Sequence, residues 1–402
     1  MERFFSKKQT QSISRPGGKA ASCAHCGLYD SCKSPMLTYG KGQKNIMILG
    51  ETVTSAEDRS GKLWVDSTMS ILRNALDSQG IDMDLDCFGI AARSCYSENP
   101  ITTKQVECCR KNILKLIKER KPTIVLVLGK NALFSLIGHR WDNDFGEFSK
   151  WVSWQIPDID LETVLCPIYH PIDVQDSVSK VLWRQDIKKA LSFLSKSPKK
   201  YAEPNISHIE DLSVLRSIKS DLVSIDFETT GLKPQSDGHR VVCAAVAYDE
   251  NHAYSFLIPK RRSERKPFLE LLTNPRIGKM GHNIKYEDVW SSRRLHTNIV
   301  NWRWCSMQAA HILDNRPGIC GLKFLTYVHF GVIDYASEIS PYLRSPSGGN
   351  NINKVLDTLQ STSLTRKLLD YCGSDTVYQY RLSLIQIKKI NPLWKINSTN
   401  IT

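Results

Sequence analysis

SIDFETTGL, residues 224–232, sets two acidic side chains into an otherwise apolar strand. Ile225 and Phe227 alternate with Asp226 and Glu228, so at a period of two both carboxylates leave the same face. Gly231 then breaks the strand. Two neighbouring carboxylates on one face repel each other unless something neutralises them. A divalent metal or a shared proton would do so. The flanking sequence decides between the two.

Outward from this strand, HIEDLSVLRSIKS (208–220) reads as a short helix leading into it. VVCAAVAY (241–248) and AYSFLIP (253–259) alternate as strands of an antiparallel meander do. A helix follows near 264–272, then RIGKMGHNIKYEDVW (276–290) as a strand running into a helix. SMQAAHILD (306–314) and GLKFLTYVHFG (321–331) read as further helices, and 364–389 as one long helix. On that helix Tyr371 and Asp375 are four residues apart and share a face. Acidic positions therefore recur at DFE, after HNIKY, and in a Y-x3-D pair.

The first half alternates differently. NIMILG (45–50), CFGIAA (87–92), TIVLVLG (123–129) and TVLCPIYHP (163–171) are continuous apolar runs, as buried parallel strands are. Helical patterns fall between and after them, at 67–79, 103–119, 130–137 and 177–194. This order predicts a parallel sheet covered by helices, with ligands at the carboxyl ends of the strands. Eight of the twelve cysteines precede residue 170. Cys23, Cys26 and Cys32 form C-x2-C-x5-C, with Cys95 and the pair Cys108–Cys109 far downstream. Such a set suits a structural zinc or an iron–sulfur centre. Cys87 and Cys166 sit at apolar strand positions and read as core.

At 402 residues the chain is long enough for two domains. The polar, basic stretch SKSPKKYAEPNIS (195–207), with Pro198 and Pro204, reads as their junction. We divide the chain into a flexible arm (1–20), a first domain (21–198), a linker (199–206), a second domain (207–392) and a tail (393–402). The net charge of +13 implies a polyanionic partner, nucleic acid first. Its basic runs are KLIKERK (115–121), KSPKK (196–200) and KRRSERK (260–266). No apolar stretch nears the roughly 18–20 residues that span a bilayer, so no membrane partner is expected. The N-terminal residues have no secretory h-region, so a cytoplasmic setting and unpaired thiols are expected.

Taken together, DFE, the acid after HNIKY and Y-x3-D resemble the DEDD 3′–5′ exonucleases, in the tyrosine-bearing form that proofreads for family A DNA polymerases. The resemblance covers about 206–390 and implies an RNase H-like, mixed-sheet α/β fold. It implies that Asp226, Glu228 and Asp375 hold two divalent metal ions, Mg²⁺ or Mn²⁺, while Tyr371 orients the attacking water. The family's second-motif aspartate aligns with Glu287, one methylene longer, with Asp288 as the alternative. Thr229, Leu232, His282 and Asn283 would contact the 3′-terminal nucleotide, and Asp314 would end a helix.

Over about 20–195 the chain resembles the iron–sulfur branch of the uracil-DNA glycosylase superfamily, a three-layer α/β/α fold on a parallel sheet. GETVTSAED follows the first strand where the family has GEAPGxxED, and His170-Pro171-Ile172 stands for HPS. The resemblance implies a 4Fe-4S cluster on Cys23, Cys26, Cys95 and Cys109, with Cys32 and Cys108 as alternates and zinc as the alternative occupant. It places Glu51, Trp64 and His170 at the base pocket, Trp64 where the family has a stacking Phe. The permissive loop has become bulkier, an expected Asn has become Ala91, and HPS has lost its hydroxyl. A DNA-holding domain with a degenerate pocket is the reading this favours over base excision.

The two domains in this order resemble the N-terminal portion of certain bacteriophage family A DNA polymerases. That implies primer-template DNA and single-stranded 3′ ends as partners, within a bacterial host's cytoplasm. The sequence closes on NPLWKINSTNIT without palm or fingers motifs. A separately encoded polymerase is therefore a further expected partner, whether the chain is a proofreading subunit or a piece of a longer protein.

Overall fold

A computed structural model describes residues 23–65, 67–141, 144–333, 335, 339–343, 352 and 362–392. The expected arm and tail lie outside the described residues, as does the Cys23 side chain. The chain divides into two compact units, the first up to Lys200 with Tyr327–Gly331, the second Tyr201–Thr326 with the chain from Val332 onward. Among the described residues no helix is long and apolar enough to cross a membrane.

The first unit's sheet contains β1 (Thr38–Tyr39), β2 (Ile46–Thr52), β3 (Cys87–Arg93), β4 (Ile124–Leu128), β5 (Ile156–Asp158) and β6 (Thr163–Ile168), ordered β1-β3-β2-β4-β6-β5. The four central strands are parallel, and they are the four apolar runs of the sequence. The edges β1 and β5 are antiparallel and only two and three residues long, too short to show a period. The helices are α1 (Cys23–Cys26), α2 (Leu28–Ser31), α3 (Ser55–Ser60), α4 (Thr68–Asp77), α5 (Met83–Asp86), α6 (Thr103–Arg120), α7 (Lys130–Trp141) and α8 (Ser177–Leu191). Ile46, Ile48, Leu126 and Leu128 pack with Leu72 and Leu76 of α4 and Trp183 and Ile187 of α8. α7 lies against β2, β3 and β4, and α6 against β3. Every residue of β3, β4 and β6 is buried, as strands covered on both faces require.

The second unit's sheet is mixed: β7 (Asn205–His208), β8 (Leu222–Thr229), β9 (Val241–Ala247), β10 (His252–Leu257), β11 (Gly278–Gly281) and β12 (Trp302–Cys305), ordered β12-β11-β8-β9-β10-β7. Its helices are α9 (Arg262–Thr273), α10 (Ile284–Trp290), α11 (Ser306–Leu313), α12 (Leu322–Phe330), α13 (Ser340–Leu343) and α14 (Thr362–Ile390). The helix expected over 208–220 does not form. Asn205–His208 instead pairs in parallel with β10, which also draws the end of the expected linker into the sheet. Only a 3-10 helix, Leu212–Ser217, follows, capped by Asp211 accepting from the Ser213 N–H. Leu212 and Leu215 are its buried residues, and a spacing of three suits that tighter turn.

Strand β8 positions the acids. Ile225 and Phe227 enter a core with Phe256, Phe268, Leu272 and Trp290. The other face of the sheet receives α14, where Leu368, Leu369 and Cys372 pack with Cys243 and Ala245 of β9. Asp226 and Glu228, out of phase with Ile225 and Phe227, are thereby aimed at α14. Gly373 lets that helix come close, since a Cβ there would stand 2.5 Å from Ile206 of β7. One turn past Asp375, the buried Gln379 fixes the helix axially. Its Nε2 donates to Ile225 O at 3.1 Å, Met280 O at 3.3 Å and Ser224 Oγ. Replacing Gln379 by Leu leaves those acceptors in an apolar contact, so the second unit should lose about 1–3 kcal/mol. A lower urea midpoint at constant m-value would show it.

Candidate active site

Asp226 and Glu228 on β8 meet Asp375 on α14, with one ligand atom from each mutually within 4.8 Å. Asp375 is buried and the other two are half-buried. Desolvation, then the Asp375 charge, pushes Asp226 up to about 8. Desolvation and the Asp226 charge hold Glu228 well above the carboxylate range. Burial also raises Asp375, although hydrogen bonds from Tyr335 and Tyr371 and the charge of Lys323 oppose the rise. Three such groups ionise together only beside added positive charge.

Glu287, in the first turn of α10, is 2% exposed and its Oε2 has no hydrogen-bond partner in the structure. It lies outside the 4.8 Å group, yet Asp226 is close enough for its charge to raise the Glu287 carboxyl, after desolvation. Asp288 is committed elsewhere, its Oδ1 accepting from Trp302 Nε1 at 3.2 Å. The two alternatives thus separate: the buried acid with a lone oxygen is Glu287. Tyr371, one turn before Asp375 on the same face of α14, is 9% exposed. Burial, then the Asp375 charge, holds its hydroxyl well above the ordinary phenol range.

Further groups complete the site without having been singled out in the sequence. Tyr335 donates to Asp375 Oδ1 and stacks on the Tyr371 ring at 5.9 Å between centroids. Lys323 of α12 places Nζ 5.4 Å from the Tyr371 ring centre, and its charge also reaches Glu228 and Asp375. The Cys372 thiol contacts Asp226, 3.7 Å from its carbonyl and 3.8 Å from Oδ2. A lone lysine in an apolar helix was a faint signal for Lys323. Tyr335 lies outside any periodic element and gave none.

The expected nucleotide contacts are spread around this centre. Thr229 Oγ1 donates to Gly231 O at 2.7 Å and meets the Tyr286 hydroxyl of α10. Leu232 is 69% exposed. His282 Nδ1 pairs with Ser306 Oγ at 2.8 Å, and burial pushes this imidazole down to about 4, so it is neutral at pH 7. Asn283 starts α10 in the left-handed region, φ 66°. Asp314 caps the end of α11 and accepts from the Arg316 guanidinium.

In the first unit, Cys26, Cys95, Cys108 and Cys109 line one small cavity with Met36 and Arg93. Cys32 packs against the cluster of Met36 and Cys95. Thiols remote in sequence are therefore neighbours, next to a guanidinium whose Nε has no hydrogen-bond partner. The three residues expected at a base pocket are each engaged within the fold. Glu51 Oε1 accepts from the Asn131 N–H at 2.7 Å and its Nδ2 at 3.2 Å. Trp64 is 6% exposed, donates its backbone N–H to Glu57, and stands 4.6 Å from the Tyr39 ring. It lies across Gly50 and Gly89, and a Cβ at Gly89 would come within 2.3 Å of its ring. His170 Nδ1 accepts from the Ile172 N–H at 3.4 Å.

Residues 37–192 match the uracil DNA glycosylase superfamily and residues 207–390 match the 3′–5′ exonuclease family. The chain therefore joins a domain of the first kind to one of the second. A type-4 uracil-DNA glycosylase from Pyrobaculum aerophilum is 28% identical over 158 residues, 38% of this chain and 79% of the relative. Similar solved structures include NrnC of Brucella melitensis, 17% identical over 47% of this chain and 82% of that one, TM-score 0.34. RNase D of Trypanosoma brucei, in a GMP complex, is 13% identical over 48% and 59%, TM-score 0.37.

The raised carboxyl pKa values fix a sign. At Asp226, between the ordinary carboxyl value of about 4 and about 8, the folded state holds a proton that the unfolded one has lost, so this group's contribution to stability falls as pH rises. In EDTA the second unit should melt at lower temperature at pH 8.5 than at pH 5.5. Mg²⁺ should raise the midpoint more at pH 8.5, and Asp226→Asn should flatten the dependence in EDTA. Calorimetry across that range is the check.

Proposed function

We propose that the second unit is a 3′–5′ exonuclease acting on DNA, of the proofreading type that serves phage replication. The observation that carries this is the trio Asp226, Glu228 and Asp375 within 4.8 Å, with Tyr371 one turn before Asp375 on the same helix and a buried, unpartnered oxygen on Glu287. An all-oxygen donor set fits Mg²⁺ or Mn²⁺. Asp226, Glu228, Glu287 and Asp375 would hold two such ions, which would supply the charge that stabilises the attacking and leaving oxygens. Tyr371 orients the water whose oxygen attacks phosphorus. The P–O3′ bond breaks, releasing a nucleoside 5′-monophosphate and a chain shortened by one residue. Lys323 offsets part of the negative charge around Tyr371, and Tyr335 holds Asp375 on its far side. Thr229, Leu232, His282 and Asn283 face the terminal nucleotide. The partners are single-stranded 3′ ends, primer-template DNA and a separately encoded polymerase, in the cytoplasm of a bacterial host.

We read the first unit as a DNA-holding domain whose base pocket is degenerate. The buried Trp64 and the Asn131-bound Glu51 support this, because neither offers a free group to an extruded base. The converging thiols of Cys26, Cys95 and Cys109 fit a 4Fe-4S cluster whose expected ligands are Cys23, Cys26, Cys95 and Cys109, since such clusters are held by four cysteines.

A 3′-labelled oligonucleotide should be degraded by the full chain with Mg²⁺. Asp226→Ala should slow this about 100-fold or more, and EDTA should stop it. Undiminished activity in that variant would remove the assignment, and abasic sites formed on uracil-containing DNA in EDTA would reverse the reading of the first unit. Protein purified without oxygen should be brown, absorb near about 400 nm and carry about four irons. Cys95→Ser with Cys109→Ser should lose all three properties, whereas a colourless zinc protein would overturn the cluster.

A further inference from the structure

We infer that the β8–β9 connection and the segment after β10 form a cationic rim that grips the phosphates of the single strand entering the carboxylate site. This rests on the nuclease reading above and adds where the strand runs. Sheet register carries it. Glu228 of β8 stands opposite Cys243 of β9, and Cys243 opposite Leu257 of β10, one row across three strands. Strands in such a row are about 4.8 Å apart, so Leu257 lies about 10 Å from the Glu228 backbone. Beyond the row the pairing persists for a short way. The Ile258 N–H donates to Val242 O at 2.9 Å, and the Thr230 N–H to Arg240 O at 3.1 Å. The two segments that leave this end of the sheet carry Lys233 and Arg240 on one side and Lys260, Arg261 and Arg262 on the other. All five are exposed.

Their pairing is telling. Arg261 reaches Glu264 at 3.8 Å across solvent, an ion pair of little weight. Lys233, Arg240, Lys260 and Arg262 have no carboxylate within 4.0 Å among the described residues. Asp237 is the other acid in these segments, also exposed. Two further arginines fix the backbone on which the free cations ride. Arg265 donates to Pro259 O and, at 2.8 Å, to Lys260 O. Arg294 donates to Pro234 O and Ser236 O. Cations gathered on one held edge repel each other, and a polyanion relieves that repulsion by releasing its own counterions. Next to a site for phosphodiester hydrolysis, the polyanion of matching chemistry is the strand being hydrolysed. The rim holds its phosphates on the 5′ side of the terminal nucleotide.

The full chain with Lys233→Ala and Arg240→Ala, and separately with Lys260→Ala and Arg262→Ala, tests this on two substrates. For a single-stranded 20-mer, KM should rise about tenfold with either pair. The log–log salt slope of binding should fall by about 1.4 per pair, two phosphate contacts at about 0.7 each. Hydrolysis of the p-nitrophenyl ester of thymidine 5′-monophosphate, which has no upstream phosphates, should be unchanged. An unaltered KM and salt slope for the 20-mer would overturn the rim, as would equal losses on both substrates. Should the wild-type chain hydrolyse neither substrate, the nuclease reading falls. The rim is then decided by 20-mer binding in EDTA, where an unchanged salt slope in both variants rejects it.

Discussion

Three carboxylates within 4.8 Å of one another are a source of instability that the rest of the second unit is arranged around. At an effective dielectric constant of about 20, two unit charges at that distance repel by about 3 kcal/mol. A single hydrogen bond to a charged group returns about 1.5–3 kcal/mol. The hydrogen bond from Tyr335 and the charge of Lys323 therefore hold Asp375 in place without neutralising the cluster. Protons or metal ions must make up the difference. The open question posed by two acids on one strand is thus settled by pH and by what binds.

Much of this could be read from the residues because the site lies on regular elements. The alternation in SIDFET and the four-residue spacing of Tyr371 and Asp375 are consequences of strand and helix geometry, and the structure preserves both. Elsewhere the sequence was silent for identifiable reasons. Neighbouring helical residues point about 100° apart, and only the surrounding packing decides whether Glu287 or Asp288 turns inward. Asn205–His208 has too few apolar residues to announce a strand, and becomes one because β10 offers it an edge. Tyr335 and Lys323 reach Asp375 from 40 and 52 positions away, distances no periodicity encodes.

The first unit keeps the sheet that its sequence announces, and its expected pocket residues are held by their neighbours. Its four buried parallel strands and the converging thiols are retained, yet the pocket residues are engaged by their neighbours. Trp64 depends on the absence of side chains at Gly50 and Gly89, so the ring that resembles a stacking platform serves as core.

Arg381 bears on how the start of the second unit is held. It is 1% exposed and lies six residues past Asp375, about 9 Å along α14. Its guanidinium donates to Ala202 O and Asn251 Oδ1, and stands 5.2 Å from the Tyr201 ring. It clamps the point where the connecting peptide enters the second unit, much as a cable is anchored just inside a housing. Residues 201 and 202 are thereby held to the same helix that carries Asp375.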